Sequence, residues 1–251
     1  MYKHNFYLIL SLILLAILFS SCETEIAEDP NTLGGNWNLP QNEVGAEYGI
    51  YQKIGDFKDG KFEPKAFVTK NEEGIVTIHL KVNFDKKAKL ILDTLLGLET
   101  IDVDVKNAWI DAMKKKYNFK LDTSDSQNSF FEYDIKTKIT DQGIQGFLHD
   151  PIKPFTLIKY NCKVGDKYEF VNSQGEKFVR TVVYKDEDKE SYDLVWWKIK
   201  VTKVEEIVNE PFIEKITYFA NHKFGLVNVE FTTKTGKTAS VGIVPWKAMP
   251  E

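Results

Sequence analysis

The apolar positions of the chain fall into three patterns. Residues 6–19, Phe6 to Phe19, form an apolar block broken only by Ser11. Residues 22–46 are the reverse: Glu, Asp, Asn, Gly and Pro dominate, and too few apolar side chains are present to bury, so the segment reads as a flexible tether. Structured periods begin at about residue 47. Val76, Ile78, Leu80, Val82 and Phe84 alternate with Thr77, His79, Lys81 and Asn83, which predicts a half-buried strand over 75–84. Asp85 then stands where a helix N-cap belongs, with Ala88, Ile91, Leu92, Leu95 and Leu96 as an apolar stripe and Gly97 as the stop. A second, shorter helix is predicted from about Asn107 to Tyr117, with Trp109, Ala112 and Met113 inward and Lys114–Lys116 in its last turn. A further alternating strand follows at 130–139, turning Phe131, Tyr133, Ile135 and Ile139 inward.

Pro151 and Pro154 mark a change. Beyond them, strand-like runs occur near 155–160, 167–171, 177–184, 192–204, 213–220, 226–233 and 238–244. They are separated by turn signals such as Gly165-Asp166, Asn172–Gly175 and Thr235-Gly236. Short strands at close spacing predict an antiparallel β-meander forming a curved sheet, a barrel or a half-barrel. The expected class is therefore α+β, with a mixed half at 47–150 and a meander half at 151–251, either two packed halves or one domain.

With 43% hydrophobic and 28% charged residues over 251 positions, the chain has enough apolar material for a core, and wholesale disorder is excluded. The first block gives an address. Lys3 and His4 precede it, and Phe19-Ser20-Ser21-Cys22 follows it. A run of roughly 14 apolar residues is short for ~30 Å of hydrocarbon but suits a secretory leader. Phe19-Ser20-Ser21-Cys22 resembles the lipobox of bacterial lipoproteins, although Phe19 replaces the usual Leu. The resemblance implies a signal peptide over 1–21 and a lipidated Cys22 that becomes the new N-terminus and holds the chain to a membrane. Glu23, Glu25, Glu28 and Asp29 resemble the acidic stretch that sends some Gram-negative lipoproteins to the outer face. The expected location is thus the outer membrane, displayed at the cell surface. A plain signal peptide or an uncleaved anchor are the other readings. The second cysteine is Cys162; lipidation of Cys22 precludes a disulfide, and a Cys22–Cys162 bridge is the competing arrangement.

The stretch Lys163-Val164-Gly165-Asp166-Lys167-Tyr168-Glu169-Phe170, with Tyr218-Phe219-Ala220 and Gly225-Leu226-Val227, resembles envelope proteins built as meandering half-barrels. The likeness implies a fold and no activity.

Loss of Lys3 from 33 basic residues leaves 32 against 37 acidic residues, a net of −5, and Arg180 is the only arginine. Nucleic acid is not an expected partner, because the planar fork that reads bases and phosphates is nearly missing. Neither GxxxxGK[ST] nor GxGxxG occurs, and there is no HExxH, CxxC or GxSxG, so no cofactor, metal or nucleophile elbow is expected. His79 reads as solvated; His149 and His222 sit at turns; Cys162 reads as a small buried residue; Asp186-Glu187-Asp188 reads as a solvated loop.

Aromatics are the suggestive feature. If 192–204 is one strand, Val195, Trp197, Ile199 and Val201 face the core, while Trp196 joins Tyr192, Leu194, Lys198 and Lys200 on the other face. Tyr192 and Trp196 then form a ladder fit to stack on sugar rings or to line an apolar cavity, unless helices cover that face. Trp37 and Trp246 are further candidates. The expected function is a non-catalytic, lipid-anchored envelope protein that binds a glycan, a lipid or an envelope partner. The alternative is a surface hydrolase acting on polysaccharide or peptide through a carboxylate pair.

Overall fold

Asp85 caps the first helix as its position predicts. Its Oδ1 accepts from the Ala88 amide at 2.8 Å, α1 spans Lys86–Leu96, and Gly97 ends it in the left-handed region at φ 69°. The second helix, α2, spans Val103–Tyr117 and starts a turn earlier than its apolar spacing suggests. The reason is Asp102, whose carboxylate accepts from the amides of Asp104 and Val105 and so fixes the first turn. The computed structural model describes residues 31–54, 61–125 and 128–249. The leader at 1–21, Cys22 and the first part of the expected tether lie outside these residues.

The strands are β1 (Glu47–Ile54), β2 (Phe62–Glu72), β3 (Ile75–Phe84), β4 (Lys120–Asp122), β5 (Ser129–Thr140), β6 (Gly143–Gly146), β7 (Phe155–Lys159) and β8 (Lys167–Val171). They continue as β9 (Lys177–Lys185), β10 (Tyr192–Leu194), β11 (Trp197–Ile199), β12 (Thr202–Ile207), β13 (Ile213–Asn221), β14 (Gly225–Thr233) and β15 (Thr238–Pro245). Thirteen of them form one antiparallel sheet in the order β7-β6-β5-β3-β2-β1-β15-β14-β13-β12-β9-β8, with β4 added beside β5. The sheet curls until its two edges nearly meet, giving an α+β fold built on an almost closed barrel. First and last strands pair in its middle, Tyr48 opposite Pro245 through Ile54 opposite Ala239. One sheet therefore runs through both halves of the chain.

The concave side follows from alternation. Val68, Val76, Ile139, Val182, Val204 and Tyr218 belong to one buried cluster inside the barrel, joined by Phe155, Ile158 and Phe170 at the two edges. At the seam between β7 and β8, side chains take over from ladder hydrogen bonds. Phe155 stacks on Phe170 at 5.0 Å, and the Tyr168 hydroxyl accepts from the Lys159 amide at 3.1 Å. Arg180 of β9 reaches across to the carbonyls of Phe155 and Thr156 at 3.2 and 3.1 Å.

Residues 31–46 depart from the tether reading. Asn31 bridges the seam: its side chain donates to the Glu169 carbonyl, its Oδ1 accepts from the Thr156 amide, and its own carbonyl accepts from Gln145. Leu33 and Ala46 are buried, and buried Asn42 donates to the carbonyls of Trp37 and Ile139, each at 2.9 Å. Polar composition here pairs with backbone instead of water.

The expected single strand over 192–204 is corrected as well. It is three pieces, β10, β11 and β12, and the first two form a hairpin of their own, with Leu194 opposite Trp197. The chain reverses at Val195 and Trp196, with Val195 at φ 57°. A β-branched residue is a poor choice for that region, so no Gly or Asn announced the turn. Trp196 and Trp197 do not oppose each other across one strand; both are at the hairpin tip.

Candidate functional site

The hairpin is held by its apolar underside. Leu194 is fully buried, and with Ile199 and Val201 it packs on Phe219, Phe224, Val227 and Val244 of the convex face. The Tyr192 ring lies 5.7 Å from that of Phe219. What remains outside is the tip: Trp196 is 78% exposed and meets Trp197 edge-to-face at 5.8 Å.

Between this hairpin and the β1–β15 ladder lies a cleft of about 410 Å³, lined by Gly49, Ile50, Tyr51, Asp193, Val195, Val244 and Trp246. Two glycines shape its floor. A Cβ on Gly49 would come within 2.7 Å of the Trp246 indole, and one on Gly242 within 2.0 Å of the Tyr51 ring. Both rings thus lie against bare backbone, where any larger residue would push them off the sheet. They stay substantially exposed, Tyr51 at 40% and Trp246 at 44%. Trp246 opens a single 3-10 turn, Trp246–Ala248, immediately after β15.

Polar groups are few and placed. The hydroxyls of Tyr51 and Tyr192 are 3.2 Å apart, tying the hairpin to β1. Burial pushes the Tyr192 hydroxyl far above the usual phenol range, and its bond to Tyr51 and the charges of Asp193 and Glu230 push the same way, so it stays protonated and able to donate. Asp193 supplies the carboxylate of the lining, 3.8 Å from the exposed ammonium of Lys198. An apolar, aromatic-walled cleft with a few oriented polar groups is the general form of a small-ligand site, and rings exposed together on one surface mark contact with something other than water.

Of the residues singled out from sequence, Trp246 lines this cleft; Tyr192 reaches it only through its contact with Tyr51, and Trp196 stands at the hairpin tip against Trp197, outside the lining. Trp37 is elsewhere, over Gly74. Cys162 is buried and free, its thiol pushed up by burial. His79 contacts Asp134 at 2.8 Å, and His222 is exposed beside the β13–β14 turn. Asp186 is not a solvated loop acid: it accepts from the Ser191 hydroxyl and the Val201 amide and so anchors the loop before the hairpin. Among the described residues no group of three or more His, Cys, Asp and Glu is placed to hold a metal ion. Tyr51, Asp193, Gly49 and Gly242 escaped the sequence reading. The lone glycines inside the alternating runs Glu47–Tyr51 and Ser240–Val244 were the available signal, since a glycine in a strand often marks close approach of another group. No protein-family model, curated protein or solved structure matches the chain.

Proposed function

We propose that the protein is a lipid-anchored envelope protein that binds a glycan, without transforming it, in the cleft between the β10–β11 hairpin and the β1–β15 ladder. The observation that carries this reading is the pair of exposed rings, Tyr51 and Trp246, laid flat against Gly242 and Gly49 beside Asp193. Sugar rings present an axial C–H face that packs on an aromatic face, and equatorial hydroxyls that seek a carboxylate or a phenol at the edge. Flat rings with a carboxylate at their margin suit both parts. Trp196 at the hairpin tip extends the surface along which a chain of sugars would lie. The apolar block before Cys22 supports the address: acylation at that cysteine would hold the cleft at a membrane surface. No helix among the described residues is long and apolar enough to cross a membrane.

The test is calorimetric titration of the full chain in nanodiscs with soluble oligosaccharides of glucose, xylose and N-acetylglucosamine. One series is expected to bind and, at 100 times its Kd, to add about 2.7 kcal/mol of stability. Trp246→Ala and Trp196→Ala should each abolish that gain, Trp196→Ala at an unchanged Tm of the free protein and Trp246→Ala at a lowered one; a gain that survives both moves the site elsewhere. Asp193→Asn separates binding from hydrolysis, because a hydrolase would need a second carboxylate about 5–10 Å away and would release shortened sugars until Asp193 was changed. The address is tested by metabolic labelling with palmitate, which Cys22→Ala should prevent.

A further inference from the structure

The cleft beside the β10–β11 hairpin carries charge of one sign. Among the described residues that line it, Asp193 is the one charged group, and none is Lys, Arg or His. Its direction follows from β10. Leu194 is fully buried and Tyr192 packs on Phe219, so Asp193 between them points away from the hairpin's underside. The hairpin register sets Lys198 opposite Asp193. The Lys198 ammonium nevertheless stops 3.8 Å from Oδ1, beyond hydrogen-bond reach, and the two side chains are 66% and 75% exposed. An exposed pair of this geometry contributes little. The carboxylate therefore keeps its accepting capacity for whatever enters the cleft.

A second carboxylate acts on the same margin. The charges of Asp193 and of Glu230 on β14 both hold the proton on the Tyr192 hydroxyl. That hydroxyl lies 3.2 Å from the hydroxyl of Tyr51, whose ring walls the cleft. Negative potential thus runs along the edge of the two exposed rings, Tyr51 and Trp246, and aromatic faces themselves attract cations.

We infer that the glycan taken by this cleft carries a free amino group, its ammonium on Asp193 and its ring on Tyr51 and Trp246. This rests on the glycan reading above and names the class of sugar. Seating any sugar strips water from the cleft side of Asp193, and a carboxylate that loses water needs a strong donor in exchange. A sugar hydroxyl gives a neutral donor, whereas an ammonium gives a charge-assisted bond roughly twice as strong. An N-acetylated sugar offers an uncharged amide N–H and adds an acetyl group to be housed. A uronic acid sets like charge against like. A hexosamine with its amine free satisfies the ring faces and the carboxylate together.

The experiment compares three tetrasaccharides on one β-1,4-linked backbone, of glucose, N-acetylglucosamine and glucosamine, which differ only in the group at C2. Each is titrated calorimetrically into the full chain in dioleoylphosphatidylcholine nanodiscs, at a pH below the titration range of the sugar amine. The glucosamine tetramer is expected to bind about tenfold more tightly than the glucose tetramer, the difference between a charge-assisted and a neutral hydrogen bond. Asp193→Asn should bring that ratio close to one, and Lys198→Ala, which removes the neighbouring ammonium, should widen it. Both positions are exposed, so the Tm of each free variant should match the parent's. Glucose or N-acetylglucosamine tetramers that bind as tightly as glucosamine would overturn the inference and leave the glycan reading in place. A preference that Asp193→Asn leaves intact would be the general attraction of an acidic chain for a cation, and it too would overturn the inference. Failure of all three tetramers, and of xylose oligosaccharides as well, would overturn both readings.

Discussion

Arg180 and Glu206 form a fully buried ion pair across β9 and β12, Nε to Oε2 at 2.7 Å, with side-chain exposures of 2% and 1%. Arg180 is the only arginine in the chain, and its planar guanidinium has a use here that lysine does not match. It stacks on Phe155 at 4.0 Å, bonds two carbonyls of β7, and meets Glu206 from a third strand. The other carboxylate oxygen, Oε1, lies 2.6 Å from Nε2 of His149, and neither atom has a second partner among the described residues, so one proton must lie between them. His149 is itself stacked on Phe178 at 3.9 Å. The cluster is a clasp for the seam.

Removing one member of such a pair is therefore worse than removing both. Glu206→Gln leaves the guanidinium buried without its counter-charge and is expected to cost about 3–5 kcal/mol. The double change Arg180→Met with Glu206→Met, which leaves no charge behind, should recover a large part of that loss. Urea unfolding of the three proteins measures it. A double variant less stable than Glu206→Gln would show the clasp to be irreplaceable by packing.

The same carboxylates set the acid limit. Burial alone would raise the pKa of Glu206, but the bond to His149 and the charge of Arg180 outweigh it and hold the group below the usual carboxylate range. Asp150 is held low as well, first by the Ser173 hydroxyl and then by the amides of Lys153, Ile152 and Ser173. A folded pKa below the unfolded one contributes stability that is complete above the unfolded value, about 4, and is lost as pH falls through the folded value. Stability is thus expected to be level above about pH 5 and to decline steadily below about pH 4. Glu206→Gln and Asp150→Asn should each flatten that decline while lowering the plateau. Unfolding free energies measured from pH 2 to 7 test the sign: a decline as steep in both variants as in the parent places the linked protons elsewhere.

The sequence disclosed what is local and periodic. The strand 75–84 and α1 matched residue for residue because alternation, an Asp cap and a Gly stop all agree there. Misreadings arose where polarity or apolarity served an unexpected purpose. Asn31 and Asn42 look like tether but satisfy backbone groups at the seam and under β5. Leu194-Val195-Trp196-Trp197 looks like strand but turns at a residue with no turn propensity. The cleft was only partly legible: Trp246 stands out as an aromatic, yet Tyr51, which completes the wall, is 141 residues from its partner Tyr192 and comes near because β1 pairs with β15. No local pattern carries that pairing.

Val195 stores strain at the cleft. A β-branched residue at φ 57° costs on the order of 1–3 kcal/mol, and Val195 also lines the cleft wall. Val195→Gly should relieve the strain, the gain reduced by the entropy of a freer unfolded chain, for a net of about +0.5 to +1 kcal/mol. The same change removes a wall of the cleft, so glycan affinity should fall as stability rises. Opposite movement of Tm and affinity is the signature. If both fall, the Val195 side chain contributes more by packing than its backbone costs.

Gly49 and Gly242 make the sharpest demand on the cleft. Neither has a left-handed φ, so alanine meets no backbone penalty at either position, and any effect must come from the methyl group striking a ring. Gly49→Ala places a carbon 2.7 Å from the Trp246 indole, and Gly242→Ala places one 2.0 Å from Tyr51. Each ring must lift from the sheet, at an expected cost of about 1–3 kcal/mol. The displacements differ in what they break. Lifting Trp246 should shift its fluorescence towards that of a solvated indole and leave the bond between Tyr51 and Tyr192 in place. Lifting Tyr51 severs that bond, freeing the hairpin from β1, and should raise hydrogen exchange across β10 and β11 as well. Both variants should lose glycan binding, because each moves one of the two flat rings that would carry it. A Gly242→Ala protein with unchanged exchange at the hairpin would mean that the buried underside, Leu194 and Ile199 on Phe219 and Val244, seats the hairpin without help from Tyr51.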